Sequence, residues 1–137
     1  MKADLSRFTA AHESHYVQAL REIENGRKTS HWMWYIFPQI AGLGSSSTAA
    51  YYAIRDLEEA KAFLADAYLG GNLREICRAL LKLEENNPSR IFGWPDDLKL
   101  RSSMTLFSCA GDGESLFDDV LDKFYGGKKD ELTLNLL

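Results

Sequence analysis

The seven residues His31-Trp32-Met33-Trp34-Tyr35-Ile36-Phe37 present no polar face, and Pro38 follows at once. Proline lacks a backbone N–H and clashes with the preceding turn, so the run predicts a short helix that stops there. Ser30 occupies the position of its N-cap. A helix that is apolar all round has to be buried on all sides. The rest of the chain must therefore wrap this segment.

The flanking sequence is patterned to do so. Over residues 4–25, Phe8, Ala11, His15, Ala19 and Ile23 recur at steps of three and four, and Gly26 stands where a C-terminal cap belongs. Ser47 or Thr48 opens a short helix through Ile54, and Asp56 caps another running to Asp66. Leu69, Leu73, Ile76, Leu80 and Leu83 form a helical stripe over residues 68–86 that ends before Pro88. Pro95-Asp96-Asp97 opens a helix through Met104 and Phe107, with two carboxylates at the positive end of its dipole. Leu116, Val120, Leu121 and Phe124 share one face over residues 115–125, which close on Gly126-Gly127. Residues 130–137 form a short final segment whose leucines need a partner surface. No period-two alternation lasts long enough for a strand. The expectation is all-α: a single domain of 137 residues with seven or eight helices around a short buried central one.

Charge and cysteine usage narrow the classes of partner. A net charge of −4 with scattered basic residues lacks the concentrated basic face that phosphate backbones require, so nucleic acid is not an expected partner. The start, MKADLSRFTAAHESH, has no apolar run after its lysine, and residues 32–37 are too few to span a bilayer. Cys77 and Cys109 lack CxxC spacing and read as reduced, mostly buried thiols. A cytoplasmic, soluble protein without membrane contact is expected, and no pattern specifies an oligomeric state.

Four stretches carry a family resemblance. They are Lys28-Thr29-Ser30-His31-Trp32-Met33-Trp34-Tyr35-Ile36-Phe37-Pro38-Gln39, then Gly42-Leu43-Gly44, then Ile91-Phe92-Gly93 with Pro95-Asp96-Asp97-Leu98-Lys99-Leu100, and Ser102-Ser103-Met104-Thr105-Leu106-Phe107. With Tyr16, Ala19 and Leu20, Glu59-Ala60, Phe124, Gly126, Asp130, Thr133 and Leu134, the chain resembles domain-of-unknown-function family 1810 over nearly its whole length. The resemblance implies a multihelical fold with an unusually short, buried central helix, and no activity. Such proteins are often labelled calpastatin; a calpain inhibitor of that type is a long disordered chain, whereas this sequence is rich in aromatic core residues.

Polar residues crowd the ends of the apolar runs. His31, behind the approach Lys28-Thr29-Ser30, has an imidazole suited to acid–base work near neutrality; as a plain structural residue it would cap the helix or bond to backbone. Trp34 is the one aromatic of its run placed to stack on a planar ligand, with Gln39 just beyond the proline. Gly42-Leu43-Gly44 followed by Ser45 and Ser46 offers backbone N–H groups and hydroxyls to an anion, although a turn and helix cap account for the same residues. Its spacing is neither GxGxxG nor GxxxxGK[ST], so no nucleotide cofactor is implied. Asp96 and Lys99 sit at a helix mouth, with Ser102 and Ser103 three and four residues on, able to hold a carboxylate or phosphate. The acidic pair is equally what a helix dipole prefers. His12 and His15 lack a third ligand, so no metal is expected. Two functions follow as expectations: a cleft for a small anionic, nucleotide-like metabolite formed by Lys28, His31, Trp34, Gln39, Ser45, Ser46, Asp96, Lys99, Ser102 and Ser103, or an interaction module without chemistry using the C-terminal leucines or Tyr51-Tyr52.

Overall fold

Local capping chemistry sets most helix boundaries in the computed structural model, which describes residues 3–137. Ser46, Asp56, Asp66, Asn87 and Asp130 each accept a hydrogen bond from a backbone N–H of the first turn they precede. Nine helices result among the described residues: α1 (Ser6–Glu24), α2 (Met33–Ile36), α3 (Ser47–Tyr52), α4 (Leu57–Ala65), α5 (Ala67–Lys82), α6 (Pro88–Phe92), α7 (Asp96–Ala110), α8 (Leu116–Tyr125) and α9 (Glu131–Leu136). The protein is all-α; its one β feature among the described residues is an isolated parallel bridge between Ile40 and Ile54.

Three elements differ from expectation. α6 was not anticipated, because Pro88 reads as a stop; Asn87 caps it and the proline sits in its first turn, where a missing N–H costs nothing. α2 is four residues rather than seven, since Ser30 is not its cap: the Ser30 hydroxyl donates to Glu22 instead. In α1 the inward position is His12 rather than His15, and the buried set Phe8, Ala11, His12, Tyr16, Ala19, Glu22, Ile23 includes two polar side chains.

Two aromatic chains tie the helices together. Phe8 of α1 packs edge-on to Phe63 of α4 at 5.2 Å, Phe63 meets Phe107 of α7 at 5.4 Å, and Phe107 meets Phe117 of α8 at 5.8 Å. The second links Trp32, Phe37 and Phe92, with ring centroids 5.9 to 6.4 Å apart, and so joins the two ends of α2 to α6. Such pairs add about 0.5–1.5 kcal/mol each beyond the area they bury. α7 is the most enclosed of the longer helices, with residues 103–107 buried in succession, while α2 buries Met33, Tyr35 and Ile36 and leaves Trp34 half-buried.

Candidate functional site

The approach to α2 is shaped by one carboxylate. Glu22, buried on α1, accepts hydrogen bonds from the Thr29 and Ser30 backbone N–H groups (2.7 and 3.0 Å), the Ser30 hydroxyl (2.6 Å), the Trp32 indole N–H (2.9 Å) and the Gln18 amide (2.7 Å). Burial alone would push its carboxyl up, but the donors from Ser30, Gln18, Thr29 and Trp32 outweigh this and hold it at about 2. The fixed segment carries Lys28, whose N–H donates to Ile91 O (2.7 Å) and whose ammonium pairs with Asp96 Oδ2 at 2.8 Å.

Asp96 has a second lysine on its other oxygen. Lys99 Nζ lies 3.5 Å from Oδ1 and also stands over the Trp34 ring, 5.6 Å from its centroid. Two ammonium groups against one carboxylate leave a surplus positive charge beside the half-buried Trp34. Lys28 is nearly enclosed, its side chain 7% exposed, whereas that of Lys99 is 32% exposed and reaches solvent.

The loop of residues 39–44 completes the site. It is pinned by Ala41 N–H to Ile54 O (2.8 Å) and Ile54 N–H to Gln39 O (2.9 Å), so it lies against the end of α3. Gly42 has a φ of +104°, a left-handed conformation that favours glycine, and the Leu136 side chain of α9 lies 3.3 Å from where a Cβ would stand. A groove runs along each side of the loop, and both are lined by Gln39, Leu43 and Gly44. The inner groove, of about 160 Å³, has Trp34 and Tyr52 on its walls. The outer groove, of about 330 Å³, lies against α7 and α9 and is walled by Pro95, Leu98, Lys99, Arg101, Ser102 and Asp130.

The expected residues fall into two groups. Lys28, Trp34, Gln39, Asp96, Lys99 and Ser102 are brought together, through the lysine–aspartate–tryptophan chain and the two grooves. His31 is exposed, lines neither groove, and neither caps α2 nor packs in the core. Ser46 is spent on capping α3 by accepting from Ala49 N–H at 3.0 Å, and Ser45 is exposed outside the groove walls. Ser103 does not share the face of Ser102: its hydroxyl is wholly buried without a partner among the described residues, while Ser102 donates to Asp130 Oδ2 at 2.8 Å. Helix geometry explains the split, since neighbouring residues point about 100° apart.

Arg101, Asp130 and Glu22 were missed. Glu22 was signalled by a carboxylate beside Ala19 and Ile23 on the apolar face of α1, and Asp130 by its place three residues before Thr133, whose N–H it caps. Arg101 gave no local signal, because its role depends on reaching the Lys128 and Lys129 carbonyls at 3.1 and 3.0 Å. The larger hollows beside α4 are walled mainly by alanines and exposed charged residues, without an aromatic surface.

Comparison with known proteins bears on the family and the fold of the whole chain. The model of the family described as "Protein of unknown function (DUF1810)" matches residues 2–137. The chain belongs to this family. A solved structure, that of the conserved hypothetical protein Rv1873 from Mycobacterium tuberculosis, is 46% identical, with 98% of this chain and 96% of that chain covered and a TM-score of 0.95. No curated protein matches the chain. Among the described residues of this DUF1810 protein, no helix is long and apolar enough to cross a membrane.

Proposed function

We propose that the grooves flanking the 39–44 loop bind a small anionic metabolite, nucleotide-like compounds included. The observation that carries this reading is Lys99: its ammonium is held between the Trp34 ring and an Asp96 already neutralised by Lys28, on a groove wall that also carries Arg101. An anion entering the outer groove gains a charge-assisted contact, while a planar group in the inner groove has the Trp34 indole to lie on. Pre-paired lysines lose little side-chain freedom on binding, which favours affinity.

A thermal-shift screen against nucleotides, sugar phosphates and common carboxylates tests this. A ligand at about one hundred times its Kd adds roughly 2.7 kcal/mol of stability. The expected result is a shift in wild type that Lys99→Ala removes, with Trp34→Phe losing the accompanying change in indole fluorescence. No shift with any compound, or an equal shift in Lys99→Ala, overturns the reading.

A second reading, a non-enzymatic interaction or self-association module, is favoured by a separate observation. Trp94, Leu98, Leu132, Leu134, Leu136 and Leu137 are all exposed, Trp94 to 78% and Leu132 to 66%. Apolar exposure of this extent supports docking to a partner or a second copy. Light scattering at two concentrations separates the cases: a mass that does not rise with concentration counts against self-association.

A further inference from the structure

We infer that the outer groove is selective for phosphate esters that carry hydroxyl groups, with Asp130 and Gln39 accepting hydrogen bonds from those hydroxyls. This rests on the anion-binding reading and adds the substrate class. The Asp130 carboxylate is used asymmetrically: Oδ2 receives the Ser102 hydroxyl (2.8 Å), the Thr133 hydroxyl (2.6 Å) and the Thr133 N–H (3.2 Å), and Oδ1 receives nothing among the described residues. Gln39 is similarly half-used. Its Nε2 donates to the Phe37 carbonyl at 3.1 Å, which fixes the amide orientation, and its Oε1 has no donor among the described residues.

Two unused acceptors therefore border a groove whose cationic members are Lys99 and Arg101. An acceptor cut off from water by a ligand needs a donor from that ligand, and leaving it unmatched weakens binding. A bare anion has only acceptors to offer and would set its charge against Asp130. A polyol phosphate matches both demands, with phosphate toward Lys99 and Arg101 and hydroxyls toward Asp130 and Gln39. Pro95 and Leu98 supply an apolar wall for the C–H face of a sugar ring, and a groove of about 330 Å³ has room for one.

Calorimetric titration of the full chain with ribose 5-phosphate, glucose 6-phosphate and methyl phosphate, the last being the same anion without hydroxyls, provides the test. At least one sugar phosphate is expected to bind wild type about tenfold or more tighter than methyl phosphate, the loss of one charged hydrogen bond being worth that much. Asp130→Asn keeps a carbonyl oxygen for the α9 cap and replaces the unused, charged acceptor by a neutral amide N–H₂, so it should reduce that preference several-fold without weakening methyl phosphate. Gln39→Met removes the second acceptor without touching α9, should also reduce the preference, and carries the test if Asp130→Asn does not fold. Equal binding of sugar phosphate and methyl phosphate by wild type, or a preference unchanged in the folded variants, overturns this inference and leaves anion binding standing. Absence of binding by any of the three to wild type, together with a negative metabolite screen, removes both.

Discussion

Glu22 shows how one side chain can organise a segment that is far more apolar than itself. Its five donors come from the loop before α2, from Trp32 and from its own helix, and the Trp32 indole N–H, buried in the core, would be unsatisfied without it. Glu22→Gln presents an amide N–H₂ to some of these donors and should cost about 3 kcal/mol, measurable by urea denaturation. The carboxyl lies near 4.5 when unfolded and is held at about 2 when folded. Its contribution is therefore complete above pH 4.5 and is lost as pH falls toward 2, so the acid limb of the wild-type stability curve should flatten in Glu22→Gln. His12 acts at a higher pH. Burial lowers its imidazole below the usual 6.5, against opposing contributions from Tyr35 O and Asp66. Its Nε2–H donates to Tyr35 O (2.8 Å) and its Nδ1 accepts from Asn72 (3.1 Å), the arrangement of a neutral ring. Stability tied to His12 is full above pH 6.5 and declines below it, because the unfolded ring takes up the proton first. His12→Gln should lose that slope below pH 6.5 in a pH series of melts.

At the scale of the element, adjacent glycines of α5 make opposite predictions. A Cβ at Gly70 would stand 2.3 Å from the Leu64 carbonyl, where α4 turns sharply into α5 through Asp66, whereas a Cβ at Gly71 meets nothing within 4 Å. Gly70→Ala should therefore destabilise by about 2 kcal/mol through overpacking against backbone. Gly71→Ala, exposed on the same helix, should stabilise by up to about 1 kcal/mol through helix propensity. Both are read from denaturation midpoints. The helices that matched expectation are those whose signals are local: the α4 cap at Asp56, the leucine stripe of α5, and the left-handed Gly126 that ends α8. α2 was shorter than its apolar run because Ser30 answered to Glu22 on another helix, a competition that no window around residue 30 contains.

For the whole molecule, the aromatic chain from Phe8 through Phe63 and Phe107 to Phe117 spans α1, α4, α7 and α8, and Trp32, Phe37 and Phe92 extend the same buried cluster. Elements sharing one core unfold together, so thermal unfolding followed by far-UV circular dichroism and by tryptophan fluorescence should give coincident transitions. Two separated transitions would mean that the chain holds more than one folding unit. The sequence by itself determined the helical class, most helix limits and the burial of Trp32, Met33, Tyr35, Ile36 and Phe37. It could do so because helix periodicity, capping and proline geometry act over a few residues. Only the tertiary structure decided that Lys99 stands over Trp34, that Lys28 reaches Asp96, that His31 is exposed and lines neither groove, and that Ser103 is enclosed. Those relations depend on how α2, α7 and the 39–44 loop pack, and packing joins residues distant in sequence through contacts that no short stretch encodes.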